Sequence, residues 1–104
     1  LGTRLSRNTA ADLPGSSSPG EVVLLSGHVD SWDVGQGAVD DAGGAFVAIE
    51  ALSLIAEEGL RPRRTVRAAA WTCEELGDFG GEAYFEAHAG GPESHVAVME
   101  SDFG

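Results

Sequence analysis

A single cysteine, Cys73, in 104 residues leaves no partner for an internal disulfide, so cysteine usage marks no redox compartment. No apolar run approaches the roughly 18 residues of a membrane-spanning helix. The opening residues, 1–10, have neither an initiator Met nor the apolar centre of a signal peptide. The last residues, 99–104, follow directly on an apolar run, so the chain is expected to be a piece of a longer one. Basic residues are scarce: six Lys and Arg against seventeen Asp and Glu give a formal net charge of -11. That field repels nucleic-acid phosphates and anionic membrane surfaces, which excludes both as expected partners.

Several reactive motifs are also missing. Without Gly-x-Ser-x-Gly there is no nucleophile elbow, and without His-Glu-x-x-His there is no helix-borne single-zinc protease site. The Gly43-Gly44 pair lacks the Lys of a phosphate loop. A calcium loop starting at Asp30 fails because Trp32 stands at a ligand position and Asp41 replaces the bidentate Glu.

What is present reads as one layered α/β unit, since a chain of this length holds one core. Residues Pro14 to Gly20, all Pro, Gly and Ser, mark a surface loop. Val22 to Leu25 is a continuous apolar run, as in a strand buried on both faces, ending near Ser26-Gly27-His28. Ala45, Ala48, Leu52 and Ile55 predict a largely buried helix from Ala45 to Glu58, stopped by Gly59. A second strand is expected over Thr65 to Thr72, a second helix over Gly80 to His88, and a third strand over His95 to Met99. Strands alternating with helices imply right-handed crossovers and a mostly parallel sheet flanked by helices.

Ligand sites in open α/β sheets lie beyond the carboxyl ends of the strands. Each predicted strand here runs into such groups: His28 and Asp30 after the first, Glu74 and Glu75 after the second, Glu100 and Asp102 after the third. Asp40 and Asp41 join them from the loop entering the first helix. Loop and helix-cap acids are common in any α/β domain, but an imidazole and several carboxylates at successive strand ends are a donor set suited to zinc or a similar dication.

The stretch Gly27-His28-Val29-Asp30-Ser31-Trp32-Asp33-Val34-Gly35-Gln36-Gly37-Ala38-Val39-Asp40-Asp41 resembles the metal-binding segment of the two-zinc aminopeptidase and carboxypeptidase family. Leu52 to Ile55, Gly59 to Pro62, Trp71 to Glu75 and Met99 to Asp102 continue that resemblance in order, from about Asn8 onward. The resemblance implies a zinc-exopeptidase, phosphorylase/hydrolase-like fold, with residues 1–104 part of the catalytic domain. It implies that His28 and Asp102 are terminal ligands of one zinc, that Asp40 bridges both, and that Glu75 holds the other. A bridging carboxylate suits that place because two nearby dications repel strongly. Glu74 matches the general base, which takes a proton from the attacking water and delivers it to the leaving amine. Asp30 matches an acid that accepts the second imidazole N–H and fixes the tautomer. The zinc held by Glu75 needs one further His, which the family places beyond Asp102, so the isolated chain is expected to be inactive. The resemblance also raises a cis peptide bond between Asp40 and Asp41 as an expectation.

By the same resemblance the substrate is a dipeptide or short peptide, and the full protein is a homodimer, secreted or in the lysosome or endoplasmic reticulum and Golgi. Other residues read as structural. Asp41 is a first-turn or capping acid, His88 binds the carbonyls ending its helix, His95 opens a strand, Trp71 is core, and Cys73 is a small buried residue. Trp32 and Asp33 are expected to shape the pocket wall. Two alternatives stay open: an aminopeptidase of the same family, and a non-catalytic receptor or binding domain that kept the fold.

Overall fold

The computed structural model describes residues 2–103. In chain order it contains β1 (Thr9–Leu13), β2 (Ser18–His28), α1 (Gly44–Glu57), β3 (Arg64–Trp71), α2 (Phe79–His88) and β4 (Ser94–Glu100). A wide helical turn, Ala38–Gly43, leads into α1. The sheet order is β1-β3-β2-β4: β2 pairs parallel with both β3 and β4, and β1 pairs antiparallel with β3. The mostly parallel α/β sheet expected from the sequence is therefore present. Leu1 and Gly104, which belong to the expected 1–104 domain, lie outside the described residues.

Topology places the helices. The connection from β2 to β3 steps to one side, while that from β3 to β4 passes back over β2, so right-handed crossovers require α1 and α2 on opposite faces. Accordingly Ala48 and Leu52 of α1 pack on Val66 and Ala68, whereas Tyr84 of α2 packs on Leu24, Ala69 and Trp71. Alternate residues of β3 thus face alternate helices. The small side chains of Ala68, Ala69 and Ala70 let both layers approach, and β3 is buried from Thr65 to Trp71. The connection direction reverses between β2 and β4, and sheets of this kind leave a crevice for ligands outside the carboxyl ends of the strands at such a point.

Four local features differ from the sequence reading. First, β1 is a strand where no element was expected; its register sets Asp12 against Arg67. Second, β2 begins at Ser18, inside the expected loop, because the Thr65 hydroxyl donates to the Pro19 carbonyl at 2.8 Å and ties this stretch to β3. Third, α1 is buried along one stripe only: Phe46, Val47, Ile49 and Leu54 are exposed, because the described residues put the sheet on one side of it and nothing on the other. Fourth, Cys73 is half-buried rather than buried, with a left-handed φ of 57° in the turn leaving β3. Among the described residues, no helix is long and apolar enough to cross a membrane.

A charged cluster ties the two ends of the sheet. The buried Arg67 guanidinium donates to both Asp12 oxygens at 2.7 Å, to the Glu93 carboxylate at 2.8 and 3.0 Å, and to the Tyr84 hydroxyl at 2.8 Å. Arginine has only donors, so the Tyr84 oxygen accepts there and keeps its proton for His95 Nε2, 2.7 Å away. Its hydrogen bonds to Asp12 and Glu93 hold Arg67 above its ordinary pKa despite burial. The same bonds from Arg67 hold Asp12 and Glu93 below theirs. His88 donates to the Tyr84 carbonyl at 2.8 Å, in keeping with a residue serving the end of its own helix.

Candidate metal centre

His28 is the last residue of β2, and its side chain is only 1% exposed. Its Nδ1 faces the Asp30 carbonyl oxygen at 3.1 Å, and a carbonyl can only accept, so Nδ1 carries the proton. The other ring nitrogen, Nε2, faces the crevice. There it meets Asp40 Oδ1 at 3.1 Å, Asp102 Oδ1 at 3.7 Å and Glu74 Oε2 at 3.8 Å. Burial works to lower the His28 pKa, but the Asp30 carbonyl and the charges of Asp41, Glu74 and Asp30 outweigh it and hold the ring above its ordinary value.

The carboxylates reach this point by different routes. Asp40 stands in the wide turn before α1, next to a cis peptide bond joining it to Asp41. Glu74 and Glu75 follow Cys73, whose left-handed φ lies in the turn leaving β3. Asp102 lies just after β4, where the Ser101 N–H bonds the Ser26 carbonyl at 3.0 Å and keeps the chain beside β2 past the end of the ladder. Donor atoms of His28, Asp40 and Glu75 lie within 4.8 Å of one another, as do those of His28, Asp41 and Asp102. The structure thus gathers every residue singled out as a ligand at one end of the crevice.

This donor set fits a dication. Carboxylates about 4 Å apart repel by roughly 4 kcal/mol at an effective dielectric constant near 20. A cation reverses those signs, and one imidazole nitrogen among carboxylate oxygens suits zinc or a similar borderline ion. Glu75 registers the crowding: partial desolvation and the neighbouring charges of Asp40, Glu74 and Asp30 push its pKa up against the opposing pull of His28. Glu100, pushed up by partial desolvation and by Asp78 and Glu74, ends β4 and belongs to neither donor group.

Asp30 sits where expected but bonds differently. The imidazole hydrogen bond falls to its carbonyl, while its carboxylate Oδ1 stays 3.6 Å from Nδ1. The carboxylate instead accepts the backbone N–H of Glu74 at 2.9 Å and of Glu75 at 3.2 Å. One residue therefore holds the histidine through its main chain and the glutamate pair through its side chain. Trp32 is exposed on a turn closed by Gly35 N–H to the Trp32 carbonyl at 2.9 Å, and Asp33 is exposed beside it.

Asp41 is the residue whose place the sequence reading understated. It is fully buried; its Oδ1 accepts the Gly44 N–H and its Oδ2 accepts the His28 N–H, both at 3.0 Å. The first bond is the capping role expected of it. The second reaches across to β2, and no local spacing signals it.

Residues 8–103 match the model of peptidase family M28. Carboxypeptidase Q from Bos taurus and from Homo sapiens is 56% identical over 97 residues, 93% of this chain and 21% of each relative. The Xenopus laevis protein of the same name is 56% identical over 95% of the chain. A peptidase M28 precursor from Shewanella amazonensis superposes with a TM-score of 0.87 at 40% identity, covering 93% of this chain and 22% of that one. The chain thus spans about a fifth of the length of the curated relatives it matches.

Proposed function

The chain belongs to peptidase family M28, and from that membership we propose that it carries the ligand core of a two-zinc exopeptidase acting on dipeptides or short peptides. The observation that carries this reading is the convergence of His28 Nε2, Asp40 and Glu75 within 4.8 Å of one another. Similarity to carboxypeptidase Q supports removal of a carboxy-terminal residue in particular.

In this reading His28 and Asp102 would hold one ion, Glu75 would hold a second together with a histidine from another part of the protein, and Asp40 would serve both. Zinc, when bound, supplies Lewis acidity toward the scissile carbonyl and brings the pKa of water to about 7. Glu74 is the proton carrier. Among the described residues no backbone N–H donates to its side chain, and its Oε2 faces His28 Nε2 at 3.8 Å, so it is placed to take a proton from attacking water and return it to the leaving amine. Asp30 fixes the Glu74 main chain, so the carboxylate is aimed rather than searching.

The test is hydrolysis by the full-length protein. Dipeptides should be cleaved, activity should vanish with a chelator, and zinc should restore it. Asp40→Ala should cost both ions in a metal analysis, because a bridging carboxylate serves each. A protein that keeps both ions without Asp40, or that cleaves no peptide with zinc present, would sink the reading. Dipeptides blocked at one end decide the direction: loss of cleavage on amidating the carboxyl end supports a carboxypeptidase, and loss on acetylating the amine supports an aminopeptidase. The family resemblance extends the proposal to a homodimer that is secreted or lysosomal, checked by sedimentation and by localisation of the tagged protein.

A further inference from the structure

We propose that Asp41 is a positioning residue that sets the spacing between His28 and Asp40 by gripping two main-chain N–H groups with one buried carboxylate. The inference rests on the metallopeptidase reading above.

His28 N–H points to the β4 side of β2, the side on which the Ser26 carbonyl accepts from Ser101. The β2 to β4 ladder ends at Ser26 and Glu100, so among the described residues no strand takes the His28 N–H. Asp41 Oδ2 takes it instead, at 3.0 Å. Oδ1 takes Gly44 N–H at the start of α1, also at 3.0 Å. A helix cap needs only the second bond, and a serine would serve there as well. A fully buried carboxylate is costly to desolvate. Its retention is explained by what the first bond does: it ties the main chain that carries the His28 ring to the residue after Asp40. The Asp40 carboxylate is thereby held 3.1 Å from Nε2.

The surrounding chain is shaped to this carboxylate. A methyl group added to Gly27 would overlap the Ala45 backbone nitrogen and come 2.7 Å from Asp41 Oδ2, and one added to Gly44 would overlap the Ser101 carbonyl and Asp41 Oδ1. The two glycines thus let β2, the start of α1 and the chain after β4 close around the Asp41 carboxylate. Although an Asp41 oxygen lies within 4.8 Å of donor atoms of His28 and Asp102, both of its oxygens are taken by main-chain donors, which sets it apart from Asp40.

Two variants of the full-length protein test this. Asp41→Asn must present an NH₂ group to one of two N–H donors. Asp41→Ser keeps the cap to Gly44 but cannot span to His28. Zinc affinity, measured by competition with a chromophoric chelator, should fall about 10- to 100-fold in both, the usual cost of losing support behind a ligand. The cobalt-substituted proteins should show altered visible bands. The metal-free Asp41→Ser protein should keep a thermal midpoint close to wild type, separating support of the ligands from support of the fold. Wild-type metal affinity and cobalt spectrum in either folded variant would overturn the proposal, and so would failure of both variants to fold, which would make Asp41 a residue of the scaffold. A wild-type protein that binds no metal would overturn the peptidase reading along with it.

Discussion

Glu74 donates its backbone N–H to Asp30 Oδ1 at 2.9 Å, so the candidate base and the residue beneath the candidate histidine ligand are one rigid unit. Asp30 Oδ2 extends the unit to Glu75 at 3.2 Å. Asn at this position keeps one acceptor and turns the other into a donor facing an N–H. Asp30→Asn in the full-length protein is expected to lower kcat/KM and zinc affinity together, each by about 10- to 100-fold. Chelator competition and steady-state kinetics measure both. Equal metal affinity and equal kcat would remove Asp30 from the support of the site.

Glu74→Gln separates proton transfer from ligation. The amide has nearly the same shape but no basicity, and neither donor group within 4.8 Å includes Glu74. The variant should retain its metal and its KM while kcat falls by about 100- to 10,000-fold, the span usual for general acid–base groups. A metal analysis showing loss of zinc would instead place Glu74 among the ligands.

How much of this could be read beforehand follows from where each signal lies in the chain. Val22 to Leu25 and Thr65 to Trp71 announce strands because burial on both faces demands continuous small or apolar side chains. The acids after each strand end announce the crevice because parallel strands share one edge. Thr9–Leu13 announces nothing: its pairing with β3 depends on Arg67 reaching Asp12 from 55 positions away, a contact with no periodicity. Asp40 and Asp41 are the same residue type side by side, so only the fold tells which faces the crevice and which is buried beneath it. The outer face of α1 misled for a related reason: its apolar residues pattern as core, but the described chain supplies no layer to cover them.

Arg67 makes stability depend on pH in a defined direction. Asp12 and Glu93 have pKa values below their ordinary ones because Arg67 stabilises their charged forms. For depressed carboxylates the stabilisation is fully present above the unfolded-state pKa, near 4, and is lost as pH falls through the folded value. Arg67→Met leaves two carboxylates and a phenol without their common partner. The cost should be on the order of 2 kcal/mol at neutral pH, reduced from that of a fully buried pair because Asp12 and Glu93 are partly exposed. Thermal midpoints of the wild-type and variant proteins from pH 7 down to roughly pH 3 should converge as the carboxylates protonate. A constant gap between the curves would mean that Arg67 acts by packing alone.

Gly44 opposes helix propensity to packing, and the magnitudes decide between them. It stands at the first position of α1 with ordinary helical angles, φ -65° and ψ -44°, so on propensity alone Gly44→Ala should stabilise the helix by about 1 kcal/mol. The added methyl, however, would overlap the Ser101 carbonyl and the Asp41 carboxylate. Neither can yield cheaply: the Ser101 N–H is bonded to Ser26, and Asp41 is locked by its two N–H donors. Overpacking of this kind costs about 1 to 3 kcal/mol or more, so the net effect should be destabilising. Because Ser101 precedes Asp102 and Asp41 follows Asp40, the displaced chain carries candidate ligands, and zinc affinity should fall along with the thermal midpoint. Gly43→Ala is the comparison, since its methyl would meet only the Ala38 carbonyl at 3.3 Å. A Gly44→Ala protein as stable and as zinc-avid as wild type would show that the close approach of α1 to the ends of β2 and β4 is dispensable to the site.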